Sequence, residues 1–126
     1  MTPTDRMFTK THEWVKIDGT TATIGISDYA QESLGDITFI ELPAAGKKVA
    51  KGSSCCVIES VKAASDIYTP VSGEIAEVNS ALENAPEAIN TTPYDAWLFK
   101  VSGISSADTA DLLDAAAYDA FVESEQ

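Results

Sequence analysis

The chain has 126 residues, enough for one domain with a usable core and too few for two. Eight Lys and Arg stand against twenty Asp and Glu, a formal charge of −12 that repels phosphate backbones and anionic lipid, so nucleic-acid and membrane roles are disfavoured. Such acidity keeps a diffusing protein soluble or steers it toward basic docking surfaces.

The opening MTPTDRMFTK lacks an apolar run of signal-peptide length, Asp5 is out of place in an Arg-rich transit peptide, and no membrane-length apolar run follows, so a cytoplasmic chain is expected. Cys55 and Cys56 are the only cysteines. As neighbours on a strand they point to opposite faces and cannot readily bridge, which predicts reduced, structural thiols. With His12 as the lone histidine, the set is too poor for a zinc site.

In chain order, Trp14, Val15 and Ile17 lead into Asp18-Gly19, and Ala22, Ile24 and Ile26 alternate beyond it, which predicts a hairpin of strands near 12–17 and 21–26. Ser27 and Asp28 can cap a short helix running to Leu34, with Gln31 able to reach back and Gly35 supplying the left-handed stop. Strands follow at 37–42, around Val49, at 55–60, 67–71 and 75–78, separated by Gly and Pro turns. Residues 80–90 read as helical turns split by Pro86, leading to a strand at 97–101. A terminal helix is expected over 105–123, opened by Ser105 or Ser106, with Leu112, Leu113, Ala116, Ala117, Ala120 and Phe121 as its apolar stripe packed on the sheet. The sum is a mainly β chain: a small sandwich or barrel with short helices and a C-terminal helix.

Lys62 falls between two runs of strand character, near the tip of a hairpin. Lysines at exposed turns are mostly solubilising charges, so position has to single this one out. An exposed tip presents the amine to a modifying enzyme, while strands on both sides hold the attachment point. Val61 is β-branched and neither Gly nor Asn is present, which predicts a wider, type I-based turn. An exposed lysine is a protonated cation and a weak nucleophile, so intrinsic lysine catalysis is not expected.

The segment ESVKAASDIY followed by TPVSGEI resembles the lipoylation segment of glycine cleavage H proteins, with Lys62 in the modified position. Thr11-His12-Glu13-Trp14, the stretch ATIGISDYAQESLGDITFIELP, and Pro93-Tyr94 followed by Trp97 resemble the same family, in family order from about Phe8 to Phe121. Biotinyl domains typically flank their lysine with methionines, and lipoyl domains of 2-oxo acid dehydrogenases usually precede it with Asp; Val61 and Ala63 stand here instead. Pro93-Tyr94-Asp95-Ala96-Trp97 is one residue shorter than the family pattern and lacks its glycine, so that loop should differ in shape.

The resemblance implies a lipoyl-domain-like barrel-sandwich hybrid, a single domain over 1–126 with a lipoyl-binding core at 21–103. It implies a non-enzymatic carrier, with lipoate attached covalently to Lys62. The carrier would take the aminomethyl group of glycine from a pyridoxal phosphate-dependent decarboxylase (P-protein) to a folate-dependent aminomethyltransferase (T-protein). A dihydrolipoyl dehydrogenase (L-protein) would reoxidise the dithiol. Lipoate ligase or a lipoyl/octanoyltransferase would attach the group, and a monomer is expected. Residues matching the family's arm-holding cleft are Thr11, Glu13 and Asp66, and those matching its recognition features for lipoylation are Glu59 and Gly73. Acylation would turn the lysine cation into a neutral amide and add a dithiolane that no side chain supplies.

Two other readings stay open on sequence: an H-like relay that donates lipoate to other complexes, and an unmodified β-sandwich interaction module. A hydrolase using Ser60 or Cys56 would need a positioned base that a lone His12 does not supply, and His12 reads as structural.

Overall fold

The computed structural model describes residues 2–125. Among the described residues nine strands form in chain order: β1 (Met7–Phe8), β2 (Glu13–Asp18), β3 (Thr21–Ile26), β4 (Ile37–Glu41), β5 (Lys48–Val49), β6 (Ser54–Ser60), β7 (Ala64–Tyr68), β8 (Gly73–Val78) and β9 (Phe99–Ser102). The helices are α1 (Asp28–Leu34), α2 (Ala81–Asn84), α3 (Ala88–Thr91) and α4 (Ala115–Glu125). A six-stranded antiparallel sheet of order β1-β2-β3-β9-β8-β5 and a three-stranded sheet of order β4-β6-β7 make the sandwich expected from the punctuated strand pattern.

Alternation builds the core between the sheets. Val15, Ile24, Ile75, Phe99 and Val101 come from the larger sheet; Ile40, Cys56, Ile58 and Ile67 come from the smaller. A β-bulge between Ser54 and Cys56 breaks the alternation, so both thiols are buried instead of facing opposite ways; they are free. Burial pushes the Cys55 thiol up to about 12 and Cys56 higher still, which leaves both unreactive.

Helix α1 has the predicted caps. The Ser27 hydroxyl accepts from the Ala30 N–H, the Gln31 amide donates to Asp28, and Gly35 ends the helix at φ 78°. The strand expected at 67–71 lies earlier, because Thr69-Pro70-Val71 turns upon itself through the Thr69 hydroxyl.

The C-terminal region corrects the sequence expectation. Ser105 caps only a 3₁₀ turn, Ser106–Thr109. The chain then turns through Ala110 and Asp111, and Leu113 forms a bridge with Phe8. Asp114 restarts the helix by accepting the Ala117 N–H at 2.8 Å. The buried face of α4 is therefore Ala115 and Tyr118, with Val122 partly buried, while Ala116, Ala117 and Ala120 are exposed. Tyr118 stacks on Phe8 with ring centroids 4.5 Å apart, beside Trp14, whose indole N–H donates to the Pro93 carbonyl at 3.0 Å. Among the described residues no helix is long and apolar enough to cross a membrane.

Candidate functional site

Lys62 sits at the tip of the β6–β7 hairpin, exposed. The turn is tighter than its sequence predicts. Glu59 pairs with Ala64 and the Ser60 N–H donates to the Ala63 carbonyl at 2.8 Å, leaving Val61 and Lys62 as the connection. Neither residue has positive φ. The Ser60 hydroxyl replaces glycine chemistry, accepting the N–H groups of Lys62 and Ala63, each at 3.2 Å.

A second support comes from the end of α1. The Val61 N–H donates to the Asp36 carbonyl, and the aliphatic stem of Lys62 lies across Gly35, where no Cβ intervenes. Asn90 of α3 fixes this segment from behind. Its amide nitrogen donates to the Gly35 carbonyl, and its oxygen accepts the Ile37 N–H. Sequence reasoning does not single out Ser60, Gly35 or Asn90 as site residues. Only Ser60, a hydroxyl two residues before a hairpin lysine, leaves a local signal for this role.

Thr11 and Glu13 meet in the tight loop that enters β2. Glu13 is 1 % exposed. Its Oε1 accepts from the Thr9 hydroxyl at 2.6 Å and from the Thr11 hydroxyl, and its Oε2 accepts from the Tyr68 N–H at 3.4 Å. Burial raises the Glu13 carboxyl above its ordinary range, against the opposing pull of those hydrogen bonds. The pair lines a cleft of about 620 Å³ whose other walls include Tyr68, Thr69, Pro70 and Leu112. The cleft thus joins apolar surface to hydroxyls and one buried carboxyl, with Lys10 and the Lys51–Asp111 ion pair also in its lining, and Glu13 is the buried group that could meet an amine there.

Asp66 does not line this cleft. It is exposed on β7, opposite Val57, and accepts from the Ser54 hydroxyl at 3.0 Å. By strand alternation it shares a face with Ala64 and Tyr68, so it stands between the lysine tip and the cleft mouth. Ala64 to Tyr68 spans about 13 Å at roughly 3.3 Å per residue.

Glu59 and Gly73 are not brought together. Glu59 is exposed on the outer face of the smaller sheet, paired with Phe39 and Ala64. Gly73 opens β8 in the larger sheet, opposite Val49. A Cβ at Gly73 would collide with the Ser102 carbonyl and stand 2.6 Å from Val101 Cγ1, so close strand approach requires glycine there.

His12, at φ 74°, is a packing residue. Its Nδ1 shares a hydrogen bond of 2.8 Å with the Tyr118 hydroxyl, and its ring lies 4.7 Å from that of Tyr29. Burial lowers its pKa, and Glu125 partly offsets this.

The family model for glycine cleavage H-protein matches residues 6–125. The chain is 52% identical over 124 residues to a glycine cleavage system H protein of Thermus thermophilus, covering 98% of this chain and 97% of the other. It is 52% identical over 123 residues to that of Acidobacterium capsulatum, covering 98% and 95%. It is also 55% identical over 118 residues to a glycine cleavage system H protein 2 of Pseudomonas syringae pv. tomato, covering 92% of each. The crystal structure of a glycine cleavage system H protein from Mycobacterium marinum superposes with a TM-score of 0.87 at 39% identity, covering 96% of this chain and 98% of that one. The family match over residues 6–125, identity above half along nearly the full length and the same sandwich together make this chain a member of the glycine cleavage H-protein family.

Proposed function

We propose that Lys62 is the residue that takes the lipoyl group, and that the chain works as the non-catalytic carrier of a glycine cleavage system. The observation that carries this reading is the hairpin tip: an exposed lysine, held by Ser60 and the α1 terminus, at one end of a strand whose other end walls the cleft. A lipoyl group supplies a dithiolane that accepts and releases the aminomethyl unit of glycine.

The protein's own residues do the rest. Thr11 orients the Glu13 carboxyl, which pairs with a protonated amine once the cleft is filled. Tyr68, Pro70 and Leu112 exclude water, which protects an aminomethyl cargo from losing ammonia. Asp66, on the way from tip to cleft, offers the arm a carboxylate partner along β7. Glu59 and Gly73 serve recognition by the lipoylating enzyme, Gly73 through the β8 backbone that it brings close to β9.

The clients are the P-, T- and L-proteins of the system, with a lipoate ligase or lipoyl/octanoyltransferase upstream. We place the chain in the cytoplasm as a monomer, one domain with residues 21–103 as its lipoyl-bearing core. Intact mass after incubation with lipoate, ATP and a lipoate ligase tests the reading. One lipoyl adduct is expected, mapped to Lys62 and absent from Lys62→Arg; an unmodified chain, or an adduct that survives Lys62→Arg, would overturn it.

A further inference from the structure

The smaller sheet turns one face to the core and the other to solvent. Its solvent face is ordered in rows. Phe39, Glu59 and Ala64 are register partners across β4, β6 and β7, and all three are exposed. The next row down is Glu41, Val57 and Asp66. Between these rows, Ile40 and Ile58 point the other way, into the core.

Two features mark this face and the turn beside it. Phe39 is 51 % exposed and Val61, beside Lys62, is 68 % exposed, although both could be polar without disturbing the core. The three carboxylates around them, Glu41, Glu59 and Asp66, take part in none of the ion pairs among the described residues. Apolar groups next to the exposed hairpin lysine, with carboxylates around them that pair with no cation among the described residues, match a protein partner with an apolar socket and a cationic rim.

We infer that this outer face, centred on Phe39 and Val61, is the docking surface for the enzyme that attaches lipoate to Lys62. The inference rests on the reading of Lys62 as the attachment point. Any enzyme that acylates the lysine nitrogen must close on the tip. The Lys62 stem lies against Gly35 on one side, so the row of Phe39, Glu59 and Ala64 offers the open approach. In the ligase reaction the Lys62 nitrogen bonds to the acyl carbon of lipoyl adenylate. AMP leaves with the electron pair of the broken C–O bond, and the amine gives up its surplus protons to solvent. Glu59 belongs to this surface as one member of a row, next to an aromatic ring that carries the contact area.

The test measures the rate of lipoylation of the full chain by a lipoate ligase with lipoate and ATP, followed by intact mass. Phe39→Thr is expected to lower kcat/KM about tenfold or more, chiefly through KM, and Phe39→Leu to recover most of it. Ile17→Thr, which changes an exposed apolar residue on the other sheet, is expected to leave the rate unchanged. Added salt should slow the unaltered chain, as expected for a carboxylate-rimmed contact. Urea midpoints for Phe39→Thr and the unaltered chain should agree; a second variant, Val61→Ser, reads the same face if Phe39→Thr folds poorly. Modification of Lys62 at an unchanged rate in both variants would overturn the docking surface alone. No modification of Lys62 in the unaltered chain would overturn the attachment reading as well. A dimer that Phe39→Thr dissociates, seen by sedimentation with the lipoylation rate unaffected, would assign the face to a second copy of the chain and overturn the inference.

Discussion

A β-carbon on Gly35 would stand 3.3 Å from Lys62 Cε, so the end of α1 and the stem of the hairpin lysine are in direct packing contact. At φ 78° and ψ −158° the Gly35 backbone also lies where L side chains are strained. Gly35→Ala is expected to cost about 1–3 kcal/mol, read from urea denaturation. It should also shift the backbone resonances of Val61 and Lys62. A stable variant with unmoved tip resonances would show that helix and tip are independent.

Ser60→Ala removes the hydroxyl that accepts the N–H groups of Lys62 and Ala63. Water can replace it at an exposed turn, so the stability loss should stay below about 1 kcal/mol. Faster hydrogen exchange at those two amides, with little change in Tm, is the expected signature. Unchanged exchange would mean that the register of β6 and β7 alone shapes the turn.

Glu13 gives a pH dependence of defined sign. Its native pKa lies above the ordinary value of 4.5, so the folded chain holds this proton more tightly than the unfolded chain. The stability gained from that preference is complete below pH 4.5 and is lost as pH rises through the native value. Glu13→Gln does not titrate. The Tm of the unaltered chain minus that of Glu13→Gln should therefore fall as pH rises above 4.5. A difference that rises or stays flat would contradict the burial argument.

Asp114 caps α4 through the Ala117 N–H at 2.8 Å. Asp114→Ala should cost about 1 kcal/mol and loosen the Phe8–Tyr118 stack, detectable as altered near-ultraviolet circular dichroism. Asp114→Ser should restore most of the loss, since a hydroxyl can take the same N–H. Failure of that rescue would point to charge instead of capping.

Much of this is legible in the sequence because the relevant physics is local. The Asp18-Gly19 hairpin and the caps of α1 need only neighbouring residues, and each appears where its pattern predicts. Thr11 and Glu13, grouped by the family resemblance, stand two residues apart and are hydrogen-bonded. What escapes a sequence reading depends on partners far along the chain. β1 is two residues long, and its place is fixed by Val15, Trp14 and Leu113. Leu112 and Leu113 continue an apolar helical stripe on paper, yet Leu113 is claimed by Phe8 and the helix starts later. Asn90 holds the backbone beneath the tip from more than fifty residues away, which no local pattern records. The family resemblance groups Asp66 with the cleft carboxyl, but strand alternation sets it on the path to the cleft instead of in its wall.

The lysine tip and Tyr68 are joined by one continuous strand, β7. The reach from anchor to berth is therefore set by the count of residues in a single extended segment, like the marks on a ruler. Loosening the two sheets relative to each other would change the shape of the cleft but not this span. Adding or removing two residues in the strand would keep side-chain facing intact while lengthening or shortening the span by roughly 7 Å, so the strand itself is the part that gauges how far a tethered group must travel.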